Sequence, residues 1–128
     1  MPMEKQIINT NNAPAPIGPY NQAVQSGNLL FVSGQIAINP ETDQLVLDDI
    51  KTETHQVMKN LKGILTAAGM DFNNVLKTTI FIMNMNDFGQ INEVYGSYFT
   101  SDYPARETVQ VAALPKGVNV EISVIASK

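Results

Sequence analysis

The last regular stretch of the chain alternates, with Ile125 the one apolar residue on its polar parity. Val118, Val120, Ile122, Val124 and Ala126 share one parity, and Asn119, Glu121, Ser123, Ile125 and Ser127 share the other. Period-two alternation of this length is a β-strand with one face toward a core. A helical face lies upstream: between Thr52 and Ala68, the residues Val57, Leu61, Ile64, Leu65 and Ala68 fall at i, i+4, i+7, i+8 and i+11. That spacing is one stripe of an α-helix, and Gly69 follows as a C′ residue.

Further elements surround these two. Gly27-Asn28 separates Ala23-Val24-Gln25 from Leu29-Leu30-Phe31-Val32, which predicts a two-residue hairpin. Leu76 to Met83 is β-rich and apolar on both parities toward its end, so it reads as a strand covered on both faces. Asn86 or Asp87 caps a second helix through about Tyr98, with Phe88, Ile91, Val94, Tyr95 and Tyr98 as its stripe. Arg106 to Val111 and Val118 to Ser127 read as an antiparallel pair joined around Leu114-Pro115-Lys116-Gly117. Parity then turns Val109 and Val111 to the core and Arg106, Thr108 and Gln110 away from it. Asn11 to Pro19, with three prolines that deny backbone donors, is an ordered loop feeding Tyr20.

Strands, helix, strand, helix, strands is the order of an α+β fold, a mixed sheet with two helices on one face. The other face would carry Phe81, Met83 and Ile125 beside Arg106, Thr108 and Glu121. That is too much apolar surface for a wet monomer face, and homo-oligomerisation through it is the simplest cover. A chain of 128 residues supports one core, so residues 1–128 are expected to form a single domain. Apolar residues at 44% and charged residues at 16% provide enough hydrophobic material for that core to fold.

Composition removes several function classes. With no cysteine, thiol nucleophiles, disulfides, zinc–thiolate sites and iron–sulfur clusters are all excluded. The single histidine, His55, sits beside the first helix's apolar stripe and reads as a surface or flanking residue; neither a Ser-His-Asp triad nor a histidine metal site has a second imidazole to draw on. A net charge of −4 is the wrong sign for broad phosphate-backbone contact, which speaks against nucleic acid. No apolar run approaches the roughly 20 residues needed to span a bilayer. The polar start Met1-Pro2-Met3-Glu4-Lys5 has no signal-peptide core after it, so a soluble cytoplasmic protein is expected.

Two local features invite chemistry. Ser33-Gly34-Gln35 lacks the surroundings of a nucleotide-binding glycine loop, and Gly34 is either a bulge in a strand or a backbone N–H facing a ligand. The second is Arg106 with Glu121. A closing hairpin centred between Leu114 and Pro115 sets Thr108 opposite Glu121 and Arg106 opposite Ser123, leaving Arg106 diagonal to Glu121, with their backbones roughly 7–8 Å apart across the strands. A guanidinium fork suits a carboxylate, and a partly buried glutamate nearby can orient or deprotonate water. A small carboxylate substrate fits that pair; a plain structural ion pair is the alternative.

Pro104-Ala105-Arg106, Val109, Ala112 to Gly117 and Val120-Glu121-Ile122 resemble the signature of the RidA family, also called YjgF. The resemblance extends over nearly the whole chain, through Ala13-Pro14, Ile17 to Ala23, Phe31 to Ile36, Thr54 to Leu61 and Ile91 to Tyr95. It implies a chorismate-mutase-like α+β fold and a homotrimer with clefts between subunits. It also implies an enamine/imine deaminase, hydrolysing 2-iminopropanoate, 2-iminobutanoate and similar dehydratase products to 2-oxo acids and ammonia, with neither a cofactor nor a metal. Residue by residue, Arg106 matches the arginine that holds the substrate carboxylate and Glu121 the glutamate associated with the attacking water. Tyr20, Ser33, Gly34 and Asn92 match further site residues, and the Thr108 backbone joins Gly34 as a donor. Thr108 stands where many deaminases of the family carry cysteine, and Glu107 where small residues are common; strand parity points Glu107 away from the cleft. A non-catalytic 2-oxo-acid-binding regulator is the alternative. Ribonuclease and holdase activities, also proposed for members of the family, rank lower, since the acidic chain offers little footprint for RNA.

Overall fold

A computed structural model describes residues 4–128; Met1 to Met3 of the polar start lie outside the described residues. Six strands form one mixed sheet in the order β1 (Gln6–Ile8), β2 (Ala23–Ser26), β3 (Leu29–Gln35), β8 (Val120–Ser127), β6 (Val75–Ile82) and β7 (Ala105–Gln110). A separate ribbon of β4 (Ile38–Asn39) and β5 (Gln44–Leu45) stands beside it, so the sheet is not the single one expected. The cause is local: β3 leaves the main sheet after Gln35, and the chain just beyond pairs with β5 instead.

Helix α1 (Ile50–Ala67) starts at Asp49, whose side chain accepts the Thr52 amide, and stops before Gly69 at φ 74. Its stripe of Val57, Leu61, Ile64 and Leu65 is wholly buried against Val120, Ile122, Val124 and Ala126 of β8. Each such side chain contributes about 1.5–3 kcal/mol on burial, so this layer dominates the core. Helix α2 (Phe88–Gly96) lies on the same side of the sheet, entered through a single 3₁₀ turn that the Asn84 side chain caps. Its Tyr95 hydroxyl donates to Thr78 Oγ1 of β6 at 2.9 Å.

The last two strands do not form a hairpin. β7 pairs in parallel with β6, while β8 runs antiparallel between β3 and β6. β6, α2 and β7 thus make a strand–helix–strand crossover, the connection that parallel neighbours require. The expected parity of β7 is also reversed. Arg106, Thr108 and Gln110 stand beside Thr78, Ile80 and Ile82 on the helix side, and Val109 stands beside Phe81 on the open face, 41% exposed. Edge strands carry a weak burial signal, and here the helix side of β7 is filled by a stacked arginine rather than by valines. The open face carries the row Glu121, Phe81, Val109, with Phe31 and Ile125 nearby. Glu107 lies there too, paired with Lys77 at 3.3 Å and on the opposite face from Arg106.

Candidate active site

One group of the expected site residues is built around a bulge. β3 and β8 pair Val32 with Val124 and then Gln35 with Ile122, so Ser33-Gly34 carries one residue more than its partner strand. The bulge reading of Gly34 therefore holds, and it has a purpose. A Cβ placed on Gly34 would overlap the Glu121 carboxylate and lie 2.9 Å from its Cδ. The absent side chain is what lets Glu121 lie flat across β3. Among the described residues no group hydrogen-bonds the Glu121 carboxylate, and burial pushes its pKa above the ordinary glutamate value.

A cleft of about 580 Å³ opens over this carboxylate, walled by Pro14, Ile17, Tyr20, Ile36 and Pro115. The proline-rich loop keeps its shape through Gln22, a buried residue that the sequence reading passed over. Gln22 Nε2 donates to the carbonyls of Thr10, Ala13 and Pro14 at 2.9–3.2 Å, and its Oε1 accepts the Thr10 amide at 2.7 Å. The signal was available: a loop whose prolines remove donors still has carbonyls that need one. The Tyr20 hydroxyl accepts the Ile17 amide at 3.3 Å, which folds the loop tip back on the ring. Ser33 Oγ donates to the Asn21 carbonyl at 2.6 Å, tying the bulge to the same loop.

A second group lies on the helix side of β7. The Arg106 guanidinium carbon is 5.5 Å from the centre of the Phe88 ring and 5.2 Å from that of Tyr95, and Nη1 donates to Asn92 Oδ1 at 2.6 Å. Two rings and an amide hold the fork at distances where cation–π attraction operates. Burial raises the Tyr95 phenol's pKa, which keeps it a proton donor to Thr78. Among the described residues no carboxylate pairs with Arg106, so most of its donors remain open to an anion. Thr108 Oγ1 is buried beside it without a hydrogen-bond partner. Clefts of about 700 Å³ and 340 Å³ adjoin the guanidinium, lined by Asn92, Tyr103 and Pro104 on one side and by Met85, Phe88 and Thr108 on the other. The sequence placed Phe88 and Tyr95 only in a helical stripe; their stacking on Arg106 depends on the parallel register of β7.

The expected site residues thus fall into two groups. Tyr20, Ser33 and Gly34 gather with Glu121, while Asn92 and Thr108 gather with Arg106. The diagonal placement of Arg106 and Glu121 is wrong, because β6 lies between their strands and the two residues stand on opposite faces of the sheet. His55 belongs to neither group: its Nδ1 lies 2.9 Å from the hydroxyl of Tyr98, in the turn that follows α2. Among the described residues no three acidic or histidine side chains cluster closely enough to hold a metal ion, and no helix is long and apolar enough to cross a membrane.

The arrangement of Arg106 and Glu121 on this fold can be set beside known proteins. A family model described as Endoribonuclease L-PSP matches residues 10–128. The chain belongs to the RidA (YjgF) family. It is 52% identical over 122 residues to the 2-iminobutanoate/2-iminopropanoate deaminase of Mus musculus, covering 95% of this chain and 90% of that one. The structure of the Rid family protein YyfA from Yersinia pestis superposes with a TM-score of 0.95 at 50% identity, covering 98% of this chain and all of the other. E. coli TdcF, solved with bound serine, gives 0.93 at 43% identity over 96% of this chain and 98% of that one. These RidA-family structures share the mixed sheet and two helices described above.

Proposed function

We propose that this protein is an enamine/imine deaminase, converting 2-iminopropanoate, 2-iminobutanoate and related 2-imino acids to 2-oxo acids and ammonia. Its sites are completed between neighbouring copies of the chain, in a homotrimer of chorismate-mutase-like fold that covers the open sheet face. One observation carries the reading. The open Arg106 fork and the half-buried Glu121 carboxylate each face a cleft, yet they stand on opposite faces of one chain. An Arg106 half from one copy against a Glu121 half from another makes a complete site. The name of the mouse relative supports the chemistry, and the serine bound by TdcF carries the α-carboxylate that Arg106 would hold.

The reaction then follows from the residues. Arg106 binds the substrate carboxylate as a fork and presents the imine carbon to the Glu121 half. Glu121 takes a proton from water as the water oxygen bonds to that carbon, and the electron pair of the C=N π bond moves to nitrogen. Glu121 returns the proton to nitrogen, giving the neutral carbinolamine. A further proton reaches the amine as the carbinolamine hydroxyl loses its own; the C–N bond breaks, and the products are a 2-oxo acid and ammonia. Burial raises the pKa of this carboxylate, which makes it a better proton acceptor in the first step. Backbone donors at Gly34 and Thr108 would steady the developing oxygen.

The test is ammonia release from 2-iminobutanoate generated in situ by a threonine dehydratase, with native protein, Arg106→Ala and Glu121→Gln compared. Native acceleration that falls about 10²-fold or more in both variants is expected. A native protein that gives no acceleration overturns the enzyme reading; if it still binds 2-oxobutanoate through Arg106, the regulatory alternative replaces it.

A further inference from the structure

Two buried polar side chains of α1 stand behind the Glu121 cleft, and the reaction as proposed uses neither. Glu53 and Asn60 are seven residues apart, two turns on one helix face, and neither exposes any surface. They serve the two strands whose separation makes the cleft. β3 and β8 pair as far as Gln35 and Ile122, and beyond that point the chain after β3 turns away toward β5. On the β8 side, Glu53 Oε2 accepts the amides of Asn119 and Val120 at 2.7 and 3.2 Å, and Oε1 accepts the Asn119 side-chain amide at 2.8 Å. On the other side, Asn60 Nδ2 donates to the carbonyls of Ile36 and Ile38, both at 3.0 Å. Gln56 Nε2 donates to Asn60 Oδ1 at 2.9 Å and so fixes which way that amide faces.

Among the described residues Glu53 has no cationic partner, and such a group is costly to bury where an apolar residue would pack α1 on the sheet more cheaply. Its three accepted hydrogen bonds all go to the two residues that precede Glu121. We infer that Glu53 and Asn60 are positioning residues: from one helix they hold the parted ends of β3 and β8, and so set the backbone from which Glu121 reaches across Gly34. The inference rests on the deaminase reading for its kinetic consequence but not for its structural one.

The kinetic test compares native protein with Glu53→Ala, Glu53→Gln and Asn60→Ala. Because Arg106 sits on β7 and is held by side chains of α2, loss of positioning lowers kcat about tenfold or more while KM and the affinity for 2-oxobutanoate stay within about twofold of native. Glu53→Gln keeps an acceptor for the two backbone amides, and the Asn119 side chain can turn its oxygen to the new amide, so this variant restores kcat to within about threefold. Should Glu53→Ala fail to fold, Asn60→Ala reads the same effect from the other strand. The second readout needs no turnover: in carbon-detected NMR the Glu121 carboxyl of the folded alanine variants titrates closer to an ordinary glutamate than in native protein. An unchanged kcat with unchanged Glu121 titration overturns the inference, as does a parallel loss of kcat and 2-oxobutanoate affinity. An inactive native protein sinks the deaminase reading alone, and the Glu121 titration then decides the positioning role.

Discussion

The Glu121 carboxylate lies across the Cα of Gly34, in space that a single methyl group would fill. Gly34 has no left-handed backbone angle to demand glycine, so its requirement is one of room rather than conformation. Gly34→Ala is therefore expected to fold with stability within about 1 kcal/mol of native, because the overlapping group is the end of a side chain that can swing away. Its kcat is expected to fall about 10²-fold as Glu121 leaves its place. Thermal unfolding and steady-state kinetics on the same preparation check both halves; full activity in Gly34→Ala would show that the contact does not set the position of Glu121.

Arg106 is held by the Asn92 amide and two rings, and each support predicts a separate loss. Asn92 is exposed on α2, so Asn92→Ala leaves stability within about 0.5 kcal/mol. It is expected to raise KM and the dissociation constant for 2-oxobutanoate about fivefold, with kcat little changed, since a carboxylate clamp acts on bound substrate and transition state alike. Arg106→Lys keeps the charge but loses the planar fork, and its affinity should stay well below native. Isothermal calorimetry with 2-oxobutanoate reads these effects without any turnover, and a lysine variant that binds as native does would remove the argument for bidentate geometry.

Burial raises the pKa of Glu121, and the sign of the kinetic consequence follows. In its proposed role as the base that takes water's proton, Glu121 must be ionised, so activity is expected above its pKa and is lost as pH falls through it. The acid limb of kcat is expected to have its midpoint above about 4.3, the ordinary glutamate value, and to vanish in the residual activity of Glu121→Gln. A profile of kcat from pH 4 to 8 checks this, and an acid limb that persists in the glutamine variant would assign it to another group.

Much of the scaffold was legible because local chemistry and tertiary burial agree. Gly27-Asn28 closes the β2–β3 hairpin, with Gly27 at φ 59, and the alternate residues of β8 from Val120 to Ala126 are buried as their parity predicts. What failed was pairing. A short loop around Pro115 reads as a hairpin, yet β7 follows α2 and joins β6 in parallel, and nothing in the local sequence weighs a crossover against a turn. The error carried Arg106 onto the wrong face and beside the wrong strand. β1, β4 and β5, of two or three residues each, are too short for periodicity to mark. Glu53 and Asn60 were invisible for the opposite reason: polar residues on a helix read as solvent-facing, and only the parting of β3 from β8 makes their burial necessary.

The separation of the two half-sites gives the sharpest prediction, because a site shared between copies can be repaired by mixing damaged ones. Arg106→Ala retains a sound Glu121 half, and Glu121→Gln retains a sound Arg106 half. Alone, each homo-oligomer lacks one half at every site. If subunits of the two variants are unfolded together in equal amounts and refolded, an interface is complete when the Glu121 half comes from the first variant and the Arg106 half from the second. Random assembly of a closed ring makes about a quarter of all interfaces complete, so about a quarter of native activity should return. Mixing without subunit exchange should return none, which separates repair from contamination. Light scattering on the same sample gives the number of copies, three on the proposed assembly. Failure of the refolded mixture to exceed the activity of its parents, with mixed oligomers demonstrated by mass, would mean that Arg106 and Glu121 do not act on one substrate across an interface.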